Sequence, residues 1–212
     1  MIHPKTRLQY IDDHIGYGVF AVESIPTGTI VYVKDSLEIE ITPEEFRTME
    51  PEMKQIAEKY SYIDERGVRI VSWDFAKFVN HCCEGNTMST GYGFEIAIRD
   101  IAAGEQITDE YGIFNLESDM EVSCDQPGCR RYIRNTDFDR YYREWDGKIR
   151  PALASVFDVE QPLFSLIDDA TMEALIDFLQ DSGTYRSVYE LRYHRASSSA
   201  DNGTHSKRAM ES

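Results

Sequence analysis

Phe78-Val79-Asn80-His81-Cys82-Cys83-Glu84-Gly85-Asn86-Thr87, or FVNHCCEGNT, places an Asn-His pair and two thiols after an apolar turn that also holds Phe75. Apolar neighbours draw such a pair out of water, and a buried amide and imidazole then need hydrogen-bond partners, either in the core or in a ligand. Further on, Gln106 to Gly112 reads QITDEYG, a strand-like segment that ends in two acidic residues and a tyrosine. Near the start, Gly16-Tyr17-Gly18-Val19 forms a third block. It is not a dinucleotide fingerprint. That motif needs a helix straight after its glycines to aim an N-terminus at pyrophosphate, whereas VFAV followed by Ile25-Pro26 reads as a strand and a turn.

Working outward, the runs LQYI, GVFAV, TIVYV and LEIEI between Leu8 and Ile41 are broken by Gly16, Gly18, Pro26 and Gly28, which predicts short strands joined by turns. Thr42-Pro43-Glu44-Glu45 has a capping hydroxyl, Pro at the first helical position and Glu three residues after the cap. Phe46, Met49, Met53, Ile56 and Tyr60 follow at helical spacing, with Pro51 expected to divide the helix in two. Strands are expected again at 60–63, 68–72, 94–99 and 106–111. Alternation along the first of these would put Tyr60 and Tyr62 on one face.

Residues 134–195 predict helices. Thr136 and Asp139 suggest a second capping box, and Met172, Leu175, Ile176 and Leu179 form an amphipathic stripe expected to pack as a lid or an oligomer surface. From Ala196 the text ASSSADNGTHSKRAMES has too little apolar surface to order itself. The fold class is mainly β with α.

The chain has 212 residues, enough for one domain with an extension, and 22 Lys and Arg against 38 Asp and Glu give a net charge of -16. Such a surface repels phosphates, so no direct nucleic acid partner is expected, whereas a basic protein or peptide is steered towards it. No run approaches the roughly 18 apolar residues of a membrane span, and MIHPKTR lacks a signal-peptide core; we read the protein as intracellular, cytoplasmic or, in a eukaryote, nuclear. Without a secretion signal, the 4 cysteines point to reduced thiols or metal rather than to disulfides. Oligomeric state is left open.

The order GYGVF, then NHCC with Asn86, then TDEYG, then paired cysteines resembles the SET-domain family of S-adenosylmethionine-dependent protein-lysine methyltransferases, over residues 8–133. The family's blocks read GxG, NHSCxPN and ELxYDYG, followed by a cysteine-rich post-SET segment. The resemblance implies short strands with a knot-like C-terminal crossing over residues 1–120, an abbreviated post-SET segment at 121–133, a helical extension at 134–195 and a disordered tail at 196–212. It also implies that Gly16, Tyr17, Gly18, Asn80, His81 and, near the end of the segment, Tyr132 bind the cofactor, the glycines by letting backbone come close. Tyr111 takes the catalytic position, and Tyr60 and Tyr62 wall the lysine channel.

Asp109 departs from the family, standing where many members carry Phe or Tyr; a carboxylate there would favour the charged, unreactive lysine unless it points to solvent. A second departure concerns zinc. Cys83, Cys124 and Cys129 match three post-SET ligands, but Val122 occupies the fourth place, so bound zinc would need Asp125, Cys82 or water. The implied activity is transfer of a methyl group from S-adenosylmethionine to a lysine of a basic protein, histone-like or ribosomal. The alternative is a catalytically inactive SET-fold module that binds cofactor or peptide.

Overall fold

Glycine sets the first turn. In the computed structural model of the chain, which describes residues 1–122, 124 and 126–194, β1 (Thr6–Asp12) and β2 (Gly16–Ala21) pair antiparallel, and Gly16 turns between them at φ +84°. β3 (Ile30–Val33) and β4 (Ile39–Ile41) follow. The predicted capping box forms: the Thr42 hydroxyl accepts from the Glu45 amide at 3.2 Å and the Glu45 carboxylate from the Thr42 amide at 2.8 Å. It opens α1 (Pro43–Thr48), and Pro51 starts a separate α2 (Pro51–Tyr60). The apolar positions of these helices do not form a core face. α1 buries nothing and α2 only Ala57, while Met53 and Ile56 are each 53% exposed, because two short helices lie over the rim of a small sheet.

That sheet has the order β4-β6-β5, with β5 (Ser61–Ile63) and β6 (Arg69–Val71) antiparallel. Tyr60 ends α2 instead of opening a strand, so Tyr60 and Tyr62 do not alternate along one strand as expected. Next come β7 (Asn80–His81), β8 (Thr87–Ser89), β9 (Phe94–Ala97) and β10 (Gln106–Asp109). A second sheet runs β3-β9-β8. A third runs β1-β2-β10-β7, in which β10 is antiparallel to β2 but parallel to β7, with Thr108 beside Asn80 and Asp109 beside His81. β10 stops short of Tyr111 because the Glu110 side chain accepts from the Gly112 amide and caps a single 3-10 turn, Tyr111–Ile113.

A short ribbon of β11 (Met120–Glu121) and β12 (Tyr132–Ile133) leads into α3 (Asp137–Ala154) and α4 (Asp169–Gln180). Thr136 does not cap α3. Its backbone is already helical, and the Asp137 carboxylate instead accepts from the Arg134 amide at 3.1 Å. The stripe on α4 is rotated from the expected one: Leu175 and Phe178 are buried, while Ile176 and Leu179 are each 40% exposed. Phe178 turns the helix because it fits an aromatic layer with Tyr185 at 5.4 Å and Tyr92 at 6.4 Å.

These helices share one core with the β3-β9-β8 sheet, where Ile30, Phe94 and Ile96 meet Trp145, Ile149, Leu153, Leu175 and Val188. Each fully buried Ile, Leu or Phe of this kind contributes roughly 1.5–3 kcal/mol. Asp146 of α3 accepts from the Tyr185 hydroxyl, the Ser187 hydroxyl and the Val188 amide at 2.7, 2.6 and 2.9 Å, which pins the segment after α4 onto the same side. Val19, Ala21, Ile25, Val31, Ile101 and Ile107 form a second core. No described helix is long and apolar enough to cross a membrane. The tail from Ala196 lies outside the described residues.

Candidate active site

The end of β10 delivers Tyr111 to the wall of a cavity of about 360 Å³, where Tyr60, Tyr62, Asp109 and Phe114 meet it. The Tyr111 ring packs against His81 at 5.4 Å and Phe114 at 5.3 Å, and Phe114 packs against Tyr62 at 5.5 Å. The Tyr111 hydroxyl donates to the Val79 carbonyl at 2.6 Å. Burial, and then the charges of Asp109 and Glu95, push this phenol above its ordinary value. It stays protonated, with its proton held by Val79 and its oxygen lone pairs able to face the cavity.

Asp109 does not point to solvent. It is 1% exposed, its Oδ1 accepts from the Glu110 amide at 2.7 Å, and its Oδ2 has no hydrogen-bond partner. Burial first, and then the neighbouring Glu95, raise its carboxyl well above the usual range. Glu95 was not apparent from sequence. On β9 it alternates with the buried Phe94 and Ile96, so its side chain faces the opposite side, beside Tyr32 of β3 and into the cavity. A charged residue between two core positions is the one signal that could have marked it. Glu110, 3% exposed, instead meets Arg130 at 2.6 Å, and Arg130 reaches on to Asp137 at 3.3 Å.

On the other side of Tyr111 the amide of Asn80 donates to the Tyr17 carbonyl at 3.0 Å, which draws the Gly16-Tyr17-Gly18 strand against β7. A Cβ at Gly18 would lie 2.7 Å from Gln106 Nε2 and 3.0 Å from Asn80 Nδ2, so this glycine permits protein to meet protein. At Gly16 a Cβ would meet nothing within 4 Å; it is needed for its positive φ alone. His81 Nδ1 lies 3.0 Å from the Asp109 carbonyl and 3.3 Å from the Tyr111 amide, and its Nε2 lies 3.3 Å from the Cys83 sulfur, so both ring nitrogens are engaged by protein. Burial and then Arg130 lower its pKa to about 4, so the ring is neutral at pH 7. The open approach at Gly16 and the 48% exposed Tyr17 leave room for a ligand along this strand, whereas the Asn80 amide and both His81 ring nitrogens already meet protein atoms. Tyr132 stands apart on β12, 47% exposed, with no hydrogen bond or ring contact to Tyr17, Asn80 or His81.

The Sγ atoms of Cys83, Cys124 and Cys129 lie within 4.8 Å of one another. Amide N–H groups around Cys129 draw its thiol down to about 7. These three donors fit three of the four positions of a tetrahedral zinc. Cys82 is not one of these three mutually close sulfurs; its own sulfur accepts from the Glu84 amide at 3.4 Å and interacts with Cys124, while Val122 offers only its backbone, bonded to the Arg131 carbonyl at 2.8 Å. Asp125 lies outside the described residues. The Cys83 sulfur also accepts from the Arg130 amide at 3.3 Å, which ties this segment to the turn that follows β7.

A family model described as the SET domain matches residues 16–112. The variant-silencing SET domain-containing protein of Plasmodium falciparum is 31% identical over 135 residues, which is 55% of this chain and 5% of that protein's length. A crystal structure of a Plasmodium falciparum protein described provisionally as a histone methyltransferase has 18% identity, covers 52% of this chain and 95% of its own, and gives a TM-score of 0.38, too low for the two folds to be equated.

Proposed function

We propose, from the match of residues 16–112 to a SET-domain family model, that this chain is a protein-lysine N-methyltransferase that uses S-adenosylmethionine and acts on a basic protein. The observation that supports this reading most is the Tyr111 hydroxyl, fixed by Val79 at the wall of an aromatic cavity. Tyr60, Tyr62 and Phe114 offer apolar faces to the alkyl stem of a lysine and π-density to its head. Tyr111 acts by alignment and electrostatics: a phenol whose pKa is raised is no base at neutral pH, but its oxygen can orient an amine. Gly16, Tyr17, Gly18, Asn80 and His81 would hold the cofactor, which supplies an electrophilic methyl group when bound. Glu58 and Asp119 at the cavity, on a chain of net charge -16, favour approach of a cationic segment.

Isothermal titration with S-adenosylmethionine, followed by transfer of a radiolabelled methyl group to histone and ribosomal protein mixtures, tests the proposal. Binding with lysine labelling is expected. Binding without transfer would indicate a module that keeps the cofactor but lacks turnover, and absence of binding would overturn the reading.

A further inference from the structure

Two cavities meet at Glu95. The channel walled by Tyr111 and a second cavity of about 350 Å³ share Tyr32, Tyr62, Ile63, Phe114 and Glu95 as a common partition. Glu95 and Asp109 line the same stretch of the first cavity and act on each other electrostatically, and the buried Oδ2 of Asp109 has no hydrogen-bond partner. Among the described residues neither carboxyl joins an ion pair. The wall cations are engaged elsewhere: Arg69 with Glu117 and over the Phe46 ring at 4.1 Å, Lys77 with the carbonyls of Ser72, Trp73 and Asp74, and Lys59 over the Tyr60 ring at 5.3 Å. Two carboxylates this close cannot both be charged without a cation, so the pair holds one proton.

The groups facing the pair leave it as the element that titrates near neutrality. Tyr32 on β3, Tyr62 on β5 and Tyr111 are raised above their ordinary value, chiefly by burial, and stay neutral. Glu110 is matched by Arg130, and the Met1 ammonium, which acts on Glu95, is itself paired with Asp35 at 2.9 Å. Burial lifts Glu95 to about 7.

We propose that the Asp109–Glu95 carboxyl pair takes the proton of the substrate ammonium before methyl transfer and returns it to solvent through the second cavity. This rests on the lysine methyltransferase reading above. One N–H bond breaks, one O–H bond forms on the singly charged pair, and the electron pair stays on nitrogen. A neutral amine is left beside the Tyr111 oxygen, with a neutral carboxyl pair in the wall. The extra proton leaves from Glu95 on the side rimmed by Lys34 and Arg66, and the pair recovers its single charge. A carboxylate at position 109 alone would hold lysine in its charged form; a pair of carboxyls with a second exit can discharge it.

The test compares the unmodified chain with Glu95→Gln and Asp109→Asn by pH–rate profiles on a saturating lysine peptide and by infrared spectroscopy. Each variant should lose on the order of 10²-fold in turnover at pH 7. The rate should then climb with pH towards about 10, the ordinary lysine value, where solution supplies the free amine and turnover recovers, a rescue that structural damage would not give. The unmodified protein should show the carbonyl stretch of a protonated buried carboxyl at pH 7, and its frequency should move in Asp109→Asn, where one carboxyl of the pair is gone. Unchanged pH profiles in both variants, or absence of that band, overturn the carboxyl-pair proposal while leaving the methyltransferase reading intact. No methyl transfer by the unmodified chain overturns the reading and this proposal together.

Discussion

Val79 and Tyr111, 32 residues apart, are joined by a hydrogen bond from a phenol to a main-chain carbonyl. The acceptor is backbone, so the oxygen of Tyr111 is positioned by the fold of the segment that leads into Asn80 and His81. Together with the pairing of β7 and β10 and the packing of the His81 and Tyr111 rings, this contact fixes the Asn80–His81 segment against the cavity wall.

Tyr111→Phe should lower turnover by about 10²-fold or more while the variant stays folded and still binds cofactor, with a melting temperature lowered by no more than one unpaired carbonyl explains. The ring contacts with His81 and Phe114 survive the substitution and only the hydroxyl is lost. Single-turnover methyl transfer and calorimetric titration measure the two quantities. Wild-type turnover in the folded variant would remove Tyr111 from the chemistry.

Raising salt should weaken the apparent affinity for a basic peptide far more than it changes saturated turnover, because screening acts on exposed charges during encounter. The net charge of -16 is the reason to expect it. Michaelis constants at about 0.05 and 0.5 M salt decide, since these concentrations straddle the physiological screening regime. If the constant does not move, the charge has no part in substrate capture.

The three clustered thiols should bind zinc more weakly than a four-thiolate cage. Elemental analysis of protein purified without added metal should give less than one equivalent. Cys129→Ser should abolish what is bound, whereas Cys82→Ser should leave it unaltered. Stoichiometric zinc with activity lost on chelation would show that a fourth ligand completes the site.

Gly91→Ala should destabilise the protein by about 1–3 kcal/mol or more. A Cβ at this position would lie 2.4 Å from the Ser187 carbonyl oxygen and 2.6 Å from that of Arg186, both backbone atoms that cannot swing aside. Urea unfolding measures the change, and equal midpoints would mean that the segment after α4 does not dock there.

What sequence made legible was local. The Thr42–Glu45 box, the break at Pro51 and the blocks around Asn80 and Tyr111 are each written in neighbouring residues, and four of the marked positions, Tyr60, Tyr62, Asp109 and Tyr111, line one cavity. What sequence hid was set by partners far along the chain. Glu95 reaches the cavity through the register of β9 with β3. The buried face of α4 follows from an aromatic layer supplied by Tyr92 and Tyr185, and Thr136 fails as a cap because the chain enters α3 already helical.

The parallel pairing of β7 with β10 bears on how fast the molecule can become active. Parallel neighbours cannot be made by a tight hairpin; the chain must first travel through β8 and β9 and return. Asn80, His81, Asp109 and Tyr111 thus have no local precursor in the folding chain, and loop-closure entropy delays their meeting. Competence to bind cofactor should emerge with the slowest refolding phase, after the hairpin of β1 and β2 and the C-terminal helices have formed, which makes ligand binding a kinetic marker for completion of the fold.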